Sequence, residues 1–290
     1  MSTLWQDIKF KMLRSGSRVN LLIWINVLVY LLVNIPATVE NLFSRTDFIR
    51  LHAFDYLALP SYLPRLLTRF WTPLTYMFMH ANIFHILFNM LWLYWMGEIF
   101  EEFLGNKRTI GLYLLGGFAG AFFFIAGYNI FPLFTHSGAL VGSTLVGASA
   151  SVMAVTVATA TLLPDYTIVL ILIGPVRLKW LALVFVVVDF LMIAGPNAGG
   201  EISHLGGALF GFIYIKQLQR GNDWVGFFTR MFSRKSKMKV VVKNRAGNAS
   251  GKPRQEEIDR ILDKISQTGY DSLTKQEKEI LFRASKDNDG

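Results

Sequence analysis

Six apolar runs cross the chain between residues 19 and 219, and they restrict its fold more than any other feature. The runs lie at about 19–35, 83–100, 109–131, 145–163, 178–194 and 202–219. A helix of ~20 residues rises ~30 Å, which is the thickness of the hydrocarbon core of a bilayer. Backbone amides find no water in that core, and a helix satisfies them internally. The sequence therefore predicts an all-α membrane protein with a bundle of six transmembrane helices.

The composition agrees with a membrane protein and excludes two kinds of site. Hydrophobic residues make up 52% of the 290 residues, and the mean hydropathy is +0.38. Both values are higher than in an ordinary soluble domain. The chain contains no cysteine, which excludes disulfides and thiolate metal sites. We expect no metal and no cofactor.

Basic residues in the short connections predict the orientation of the spans, because Lys and Arg concentrate in cytosolic connections. Residues 9–18, 107–108, 177–179 and the C-terminal tail carry Lys or Arg, whereas 132–144 and 195–201 carry none. This pattern predicts a multi-pass protein of the cell (inner) membrane with both termini in the cytosol. The charged stretch before the first run argues against a cleaved signal peptide, so we expect the first span to be retained.

The segment 36–70 is the exception to this charge pattern. It carries four arginines although the predicted topology places it outside. Acidic residues and many Leu, Phe and Tyr lie among them. We interpret the segment as an amphipathic element in the outer interface, where mixed charge does not set orientation.

The chain becomes strongly basic after the sixth run. Residues 216–254 hold eleven Lys or Arg and a single acidic residue, Asp223. Such a segment suits nucleic acid or an anionic membrane surface. Because it starts where the last span ends, we favour anionic lipids and expect no nucleic-acid partner. The predicted organisation is a cytosolic N-terminus at 1–17, a membrane domain at 18–220, a basic linker at 221–254 and a small helical C-terminal segment at 255–290.

The C-terminal segment has a helical periodicity of its own. Apolar residues recur at helical spacing from Ile258 to Ile265, and again after a break at Gly269. This predicts two short amphipathic helices. Ser272 is the predicted N-cap of the second helix, with Lys275 at its third position. About 35 residues are too few to hold a core, so we expect the segment to dock on a partner or on a second copy.

The fourth apolar run is short. About 16 residues, from Ala148 to Pro164, make ~24 Å of helix, which is less than the hydrocarbon thickness. Its start therefore lies below the outer surface, where non-helical backbone must be shielded by protein or line a water-filled cavity. We expect a cavity open to the outside at "LVGASAS", residues 145–151.

Five polar residues lie at the outer ends of the predicted spans: Asn82, which would cap the second span, His85, Asn89, Ser149 and His204. His85 and Asn89 are four residues apart and share one helix face. Histidine inside a membrane normally faces a bundle interior or water and indicates function. Structural alternatives exist for each: Ser149 lies among small residues that let helices pack closely, His85 and Asn89 could bond a neighbouring backbone, and His80 could tie down a loop.

The order and spacing of these residues carry a family resemblance. "HANIFHILFN" at 80–89, "GASA" at 147–150, and His204 followed by Gly207 and Gly211 resemble the rhomboid family of intramembrane serine proteases of the bacterial type. The resemblance covers the whole predicted membrane domain. It implies an endopeptidase that cleaves transmembrane segments of other proteins near their outer ends.

The resemblance also implies roles for the site residues. Ser149 would be the nucleophile and His204 the general base, a dyad without a third acidic member. The oxyanion would be bound by the Ser149 backbone N–H and by the side chains of Asn89 and His85. The supporting residues would be His80, Gly147, Ala150, Met153, Gly207 and Gly211.

Three residues differ from the family pattern or from their apolar surroundings. Ala150 stands where the family usually has glycine, adding a methyl group where the fourth and sixth spans approach. Met153 replaces an aromatic residue that often packs under the base histidine, and its thioether can make a similar contact. Asp189 lies in a fifth span that has no seam of small residues, which favours a loosely packed helix, and we expect it to pair with water near the outer end.

Two other functions compete with a protease. A catalytically inactive rhomboid-like protein would bind membrane clients, but such relatives usually lack the serine or the base, and both are present here. A small-solute transporter would show an internal repeat of charged or unwound helices, which the sequence lacks. The expected partners are transmembrane protein substrates and the lipid bilayer, and the sequence assigns no oligomeric state.

Overall fold

The structure is a computed structural model that describes residues 16–170, 174–232 and 255–286. It divides into two compact units, Met1–Arg234 and Lys235–Gly290. Most of the predicted N-terminal segment 1–17 and of the basic linker 221–254 lies outside the described residues. Their proposed contacts with anionic lipids therefore stay predictions.

The described part of the first unit is mostly helical. Its helices are α1 (Arg18–Ser44), α2 (Phe48–Leu57), α3 (Leu63–Thr68), α4 (Thr72–Thr75), α5 (Ile83–Leu104), α6 (Asn106–Ile130), α7 (Pro132–Thr135), α8 (Ala139–Gly142), α9 (Ser149–Leu162), α10 (Leu178–Met192), α11 (Ala198–Gln219) and α12 (Trp224–Phe232), with a 3-10 turn at Tyr76–Phe78. Two antiparallel strand pairs complete it, β1 (Leu59–Pro60) with β2 (Thr144–Leu145), and β3 (Thr167–Leu170) with β4 (Gly174–Arg177).

Each of the six apolar runs forms a helix, namely α1, α5, α6, α9, α10 and α11. Within the described ranges, α1, α5 and α6 are long and apolar enough to cross a membrane by length and composition. The short fourth helix is confirmed, because α9 has 14 residues. The second apolar helix, α5, has the N-cap that its sequence predicts, because Asn82 Oδ1 accepts the N–H of His85 at 2.9 Å.

The first helix is longer than its apolar run. α1 continues through Pro36 to Ser44, so a separate outer element begins only after residue 44 and not at residue 36. Arg45 ends the helix in the left-handed conformation, with φ 54°, and its N–H donates to the carbonyl oxygen of Asn41. At the other end, the carboxylate of Glu101 on α5 accepts the N–H groups of the first helical residues at 3.0 Å. Ser17 is the N-cap of α1, since its Oγ accepts the N–H of Asn20 at 3.2 Å, and the neighbouring helix thus adds a second acceptor at the same end.

The helix α9 lies at the centre of the first unit because its side chains are small. Ten of its residues are buried, and it packs on α5, α6 and α11. A methyl group on Gly207 of α11 would lie 2.1 Å from the carbonyl oxygen of Ala150. One on Gly211 would lie 2.2 Å from that of Ala154. Only glycine fits at these positions, so the small-residue seam sets the spacing of the two helices that carry the predicted serine and histidine.

The helix α10 is peripheral, which confirms the loose packing predicted for the fifth span. Its buried residues are Leu178, Leu181, Ala182 and Asp189, and it packs on α9 and α11. Toward α5 it presents Phe185, whose ring meets Trp92 edge to face with centroids 5.0 Å apart. The cleft between α5 and α10 is therefore closed by aromatic side chains.

The outer segment after α1 is tied to the entrance of α9. Leu59 of β1 pairs with Leu145 of β2. The hydroxyl of Ser61 donates to the carbonyl oxygens of Leu140 and Ser143 at 2.7 and 2.9 Å. These bonds hold the extended residues before α9 in one register.

Three of the four arginines in that segment pair with acids of the same segment. Asp55 accepts hydrogen bonds from Arg69 and Arg65, and Arg50 lies 3.6 Å from Asp47. The Arg69 hydrogen bond, followed by the charges of both guanidinium groups, holds the pKa of Asp55 below its usual range. Because these charges are partnered locally, they are a weak signal of orientation.

The second unit is a helical pair, α13 (Gln255–Thr268) and α14 (Lys275–Lys286), with a 3-10 turn at Tyr270–Ser272. The two predicted helices and the break at Gly269, where φ is 82°, are confirmed. An ion pair of 2.9 Å joins Lys264 to Glu277 across the pair.

The predicted N-cap of the second helix in this unit is wrong. α14 begins after Thr274, whose N–H donates to Glu277 Oε2 at 2.8 Å, while the N–H of Glu277 donates to Thr274 Oγ1 at 3.3 Å. This is a complete capping box. Ser272 instead donates to the carbonyl oxygen of Gly269 inside the preceding turn.

Candidate active site

One cavity of about 230 Å³ brings together residues that are distant in the sequence. Asn89 of α5, Ser149 and Met153 of α9, Asp189 of α10 and His204 of α11 all line it. Most of its remaining lining is apolar, including the aromatic residues between α5 and α10. The cavity lies at the start of α9, where the sequence predicted one.

Ser149 is the first residue of α9, and this position determines which groups surround its side chain. Ala148 precedes it as N-cap and supplies no side-chain hydrogen bond to the helix. The first N–H groups of a helix have no intrahelical acceptor and carry its positive dipole end. The serine hydroxyl therefore lies beside backbone donors in a part of the fold where Ala148 and Ala150 are fully buried.

His85 is oriented by the loop before α5 and by Gly147. Its Nδ1 faces the N–H of Ala81 at 3.4 Å, which makes Nδ1 an acceptor and assigns the ring proton to Nε2. A Cβ atom on Gly147 would lie 2.8 Å from Nε2. The Nε2–H donor thus lies beside the backbone of Gly147, two residues before Ser149, although His85 is not among the residues that line the cavity.

Asn89 lies one turn after His85, and one of its hydrogens is already used. Its Nδ2 donates to the carbonyl oxygen of His85 at 2.8 Å. The bond fixes the amide, which carries a second hydrogen and lines the cavity. Asn89 therefore bonds a neighbouring backbone, as its structural alternative expected, and its amide keeps a second hydrogen that can donate to another group.

His204 has an acidic neighbour in the structure that the sequence analysis did not predict as its partner. Its Nδ1 lies 3.1 Å from Oδ1 of Asp189 and 3.7 Å from Oε2 of Glu201. Asp189 therefore has a protein partner, and its expected pairing with water stays a prediction. An acidic residue inside an apolar helix normally has a specific partner, so the sequence held a signal that could have found this contact.

The same three side chains are the only described group that could hold a metal ion. The ligand atoms of Asp189, Glu201 and His204 lie within 4.8 Å of one another. Imidazole nitrogen and carboxylate oxygen are ligands for zinc. Here Nδ1 of His204 is engaged with Asp189, so binding a cation would break that hydrogen bond. The expectation of a metal-free site stays a prediction.

The predicted supporting residues lie around the cavity and at the helix contacts. His80 is buried with its ring edge-on to that of His85, at 5.2 Å between centroids. Burial lowers the pKa of His80, in the loop before α5, to about 3, so this imidazole is neutral. Gly207 and Gly211 are required by the close approach of α11 to α9.

The methyl group of Ala150 does not lie where the sequence suggested. The atoms of Ala150 nearest to Gly207 of α11 are backbone atoms. Its Cβ instead faces Gly120 of α6, where an added Cβ would lie only 2.4 Å away. The extra methyl group therefore fills the contact between the fourth and third helices of the bundle and leaves the α9–α11 spacing unchanged.

Two protein families match parts of this chain. The model of the family "Rhomboid domain" matches residues 67–220, and a family of unknown function, DUF6576, matches residues 247–287. The chain is 30% identical over 142 residues to presenilin-associated rhomboid-like protein A, mitochondrial, of Danio rerio, covering 48% of this chain and 35% of that protein. It is 29% identical over 160 residues to RHOMBOID-like protein 1 of Arabidopsis thaliana, covering 52% and 36%.

The alignments cover about a third of the length of these curated relatives. The rhomboid match itself covers more than half of this chain and contains every residue of the cavity. With its apolar helices and the matched domain, this protein belongs to the rhomboid family of membrane proteins.

Proposed function

We propose that the protein is an intramembrane serine endopeptidase that cleaves transmembrane segments of other membrane proteins near their outer ends. The observation that carries this proposal is the single cavity that Ser149, His204 and Asn89 share. A hydroxyl nucleophile, an imidazole base and an amide donor are the groups that acyl transfer requires. No cofactor is needed for this chemistry.

The reaction begins at the hydroxyl of Ser149. Its Oγ attacks the scissile carbonyl carbon while Nε2 of His204 takes the hydroxyl proton, and the carbonyl π electrons move onto the oxygen. His204 then delivers the proton to the amide nitrogen, the C–N bond breaks and the amine leaves. A water molecule deprotonated by His204 attacks the ester, which releases the acid product and restores Ser149.

The oxyanion is stabilised by donors that are in place before the reaction. These donors are the Ser149 backbone N–H at the start of α9, the second amide hydrogen of Asn89, which lines the cavity, and the Nε2–H of His85, whose ring lies beside Gly147. The positive end of the α9 dipole favours the same negative charge. The transition state therefore gains stabilisation that the neutral substrate does not.

We further propose that α1, α5, α6, α9, α10 and α11 all cross the bilayer, with both termini in the cytosol of a cell (inner) membrane. The basic connections support this orientation, and the 14-residue length of α9 supports a serine that lies below the outer surface. The substrate arrives from the membrane, and the basic linker 221–254 binds anionic lipid headgroups.

A fluorophosphonate serine probe tests the proposal directly. The detergent-purified wild type should be labelled and should cut a model transmembrane substrate, whereas Ser149→Ala and His204→Ala should do neither. The double variant should be no worse than either single one, because the two residues act as a unit.

Ser151→Ala is the matched control, since Ser151 lies two residues away, is buried and does not line the cavity. It should keep labelling. Undiminished labelling of Ser149→Ala would contradict the assignment of the nucleophile. A wild type that is folded but neither labelled nor active would favour the alternative, a catalytically inactive rhomboid-like protein that binds membrane clients.

A further inference from the structure

We propose that Asp189 is a positioning residue that orients His204 and sets its tautomer, so that the site works as a Ser-His-Asp triad. The inference rests on the protease function proposed above. It goes beyond that function because the sequence pattern of the site implies only a serine and a histidine.

The hydrogen bond between the two side chains carries the inference. Asp189 Oδ1 lies 3.1 Å from Nδ1 of His204. An ionised carboxylate can only accept, so the proton of this bond belongs to Nδ1. Nε2 is then left unprotonated, which is the state a general base needs before it takes the proton of Ser149.

The position of Asp189 in the fold supports a specific role. It is one of four buried residues of α10, a helix otherwise dominated by apolar side chains, and only 7% of its surface is exposed. An acidic side chain is costly at such a site unless it is paired. The partner here is the imidazole on α11, and both side chains line the cavity that contains Ser149.

The other ionisable groups near His204 do not form the hydrogen bond that Asp189 forms with it. Glu201, on the same helix, lies 3.7 Å from Nδ1, beyond hydrogen-bond distance, and its Oε1 accepts from Asn197 at 3.1 Å. His85 of α5 is not among the residues that line the cavity, and its Nδ1 is engaged with the N–H of Ala81. Asp189 on α10 is therefore the group that can hold the imidazole by a directional bond.

A comparison of Asp189→Asn with Asp189→Ala tests the role. The asparagine amide has the size of the carboxylate but can donate to Nδ1, which favours the tautomer protonated at Nε2. We expect Asp189→Asn to lower kcat at least about 100-fold with KM nearly unchanged, and to be no more active than Asp189→Ala. Asp189→Glu, which restores a carboxylate, should recover part of the loss.

The controls separate this role from a structural one. If Asp189 only filled space, the isosteric asparagine would be close to wild type and the alanine worse, and this order would overturn the proposal. Glu201→Gln should change kcat less than Asp189→Asn, and the opposite ranking would assign the role to Glu201. Asp165→Asn removes an exposed acid that pairs with Lys179 and should leave kcat unchanged.

These outcomes are distinguishable from a failure of the protease proposal itself. An inactive, unlabelled wild type would overturn the proposed function. A wild type that cleaves, together with an Asp189→Asn variant of equal kcat, would overturn only the role of Asp189. The thermal midpoint of each variant, measured in the same detergent, shows whether a loss of kcat reflects unfolding.

Discussion

Gly147 shows how closely single residues of the site are fitted to one another. Its N–H donates to the carbonyl oxygen of Tyr76 at 2.9 Å, and its φ is 126°. A methyl group there would meet the His85 ring at 2.8 Å. Both the backbone conformation and the contact require glycine. The His85 ring, which we propose as an oxyanion donor, thus packs against a residue with no side chain, two positions before Ser149.

The oxyanion role of Asn89 is tested by Asn89→Ala. Loss of one donor typically lowers kcat about 100- to 1,000-fold with little effect on binding. We expect that loss with KM nearly unchanged, measured by cleavage of a transmembrane substrate. The lost bond to the carbonyl oxygen of His85 should cost only about 1 kcal/mol of stability.

Asn129→Ala is the matched control for this variant. Asn129 also donates to a carbonyl oxygen four residues earlier, that of Ile125 at 2.8 Å, and further to that of Ser61 at 2.9 Å, but it does not line the cavity. It should lose stability and keep kcat per folded molecule. If Asn89→Ala behaved in the same way, Asn89 would be a packing residue and no oxyanion donor.

At the scale of helices, the site depends on contacts between small residues. α9 meets α11 at Gly207 and Gly211, and it meets α6 at Gly120 and Gly116, where added Cβ atoms would lie 2.4 and 2.3 Å from alanine Cβ atoms of α9. Packing this close leaves no room for a further methyl group. Glycines on α6 and α11 therefore set how closely these two helices approach α9.

A methyl swap between α6 and α9 tests this account. Gly120→Ala should lower stability by about 1–3 kcal/mol, because its Cβ would lie 2.4 Å from that of Ala150. Adding Ala150→Gly should restore part of the loss, while the contact of the new Cβ with Ser203 Oγ at 2.7 Å keeps the rescue incomplete. Thermal midpoints in one detergent measure both effects.

The control for the swap is Gly142→Ala, because no atom lies within 4 Å of a Cβ built there. Its thermal midpoint should match the wild type. Failure of Ala150→Gly to relieve any of the Gly120→Ala loss would show that the methyl group of Ala150 does not face α6.

For the whole molecule, the proposed topology predicts where substrates are cut. The cavity lies at the start of α9 and the outer loop pairs with the residues just before it. We expect cleavage near the outer end of a substrate span, after a small residue and in a stretch weakened by Gly or Pro, because a stable helix keeps its amide groups bonded. Mass spectrometry of the products identifies the bond.

The Ser149→Ala variant should yield none of these products in the same membranes. Cuts confined to a cytosolic loop of the substrate would contradict the outward-facing site. They would also contradict the orientation inferred from the basic connections at 107–108 and 177–179.

The sequence by itself determined most of the helices and predicted residues that the structure brings to one cavity. The hydropathy runs located the six apolar helices, and the cap at Asn82 and the short α9 follow from residues close in the chain. Three separated motifs pointed to Ser149, His204 and Asn89. These features depend on local propensity and on residue order, both of which can be read along one chain.

Only the tertiary structure decided the contacts between helices. It paired Asp189 with His204, turned the methyl group of Ala150 toward α6, and placed the carboxylate of Glu101 at the start of α1. Each of these contacts depends on how a helix is rotated about its axis and which neighbour it faces. Both are set by how all the helices pack together, and no single apolar run contains that information.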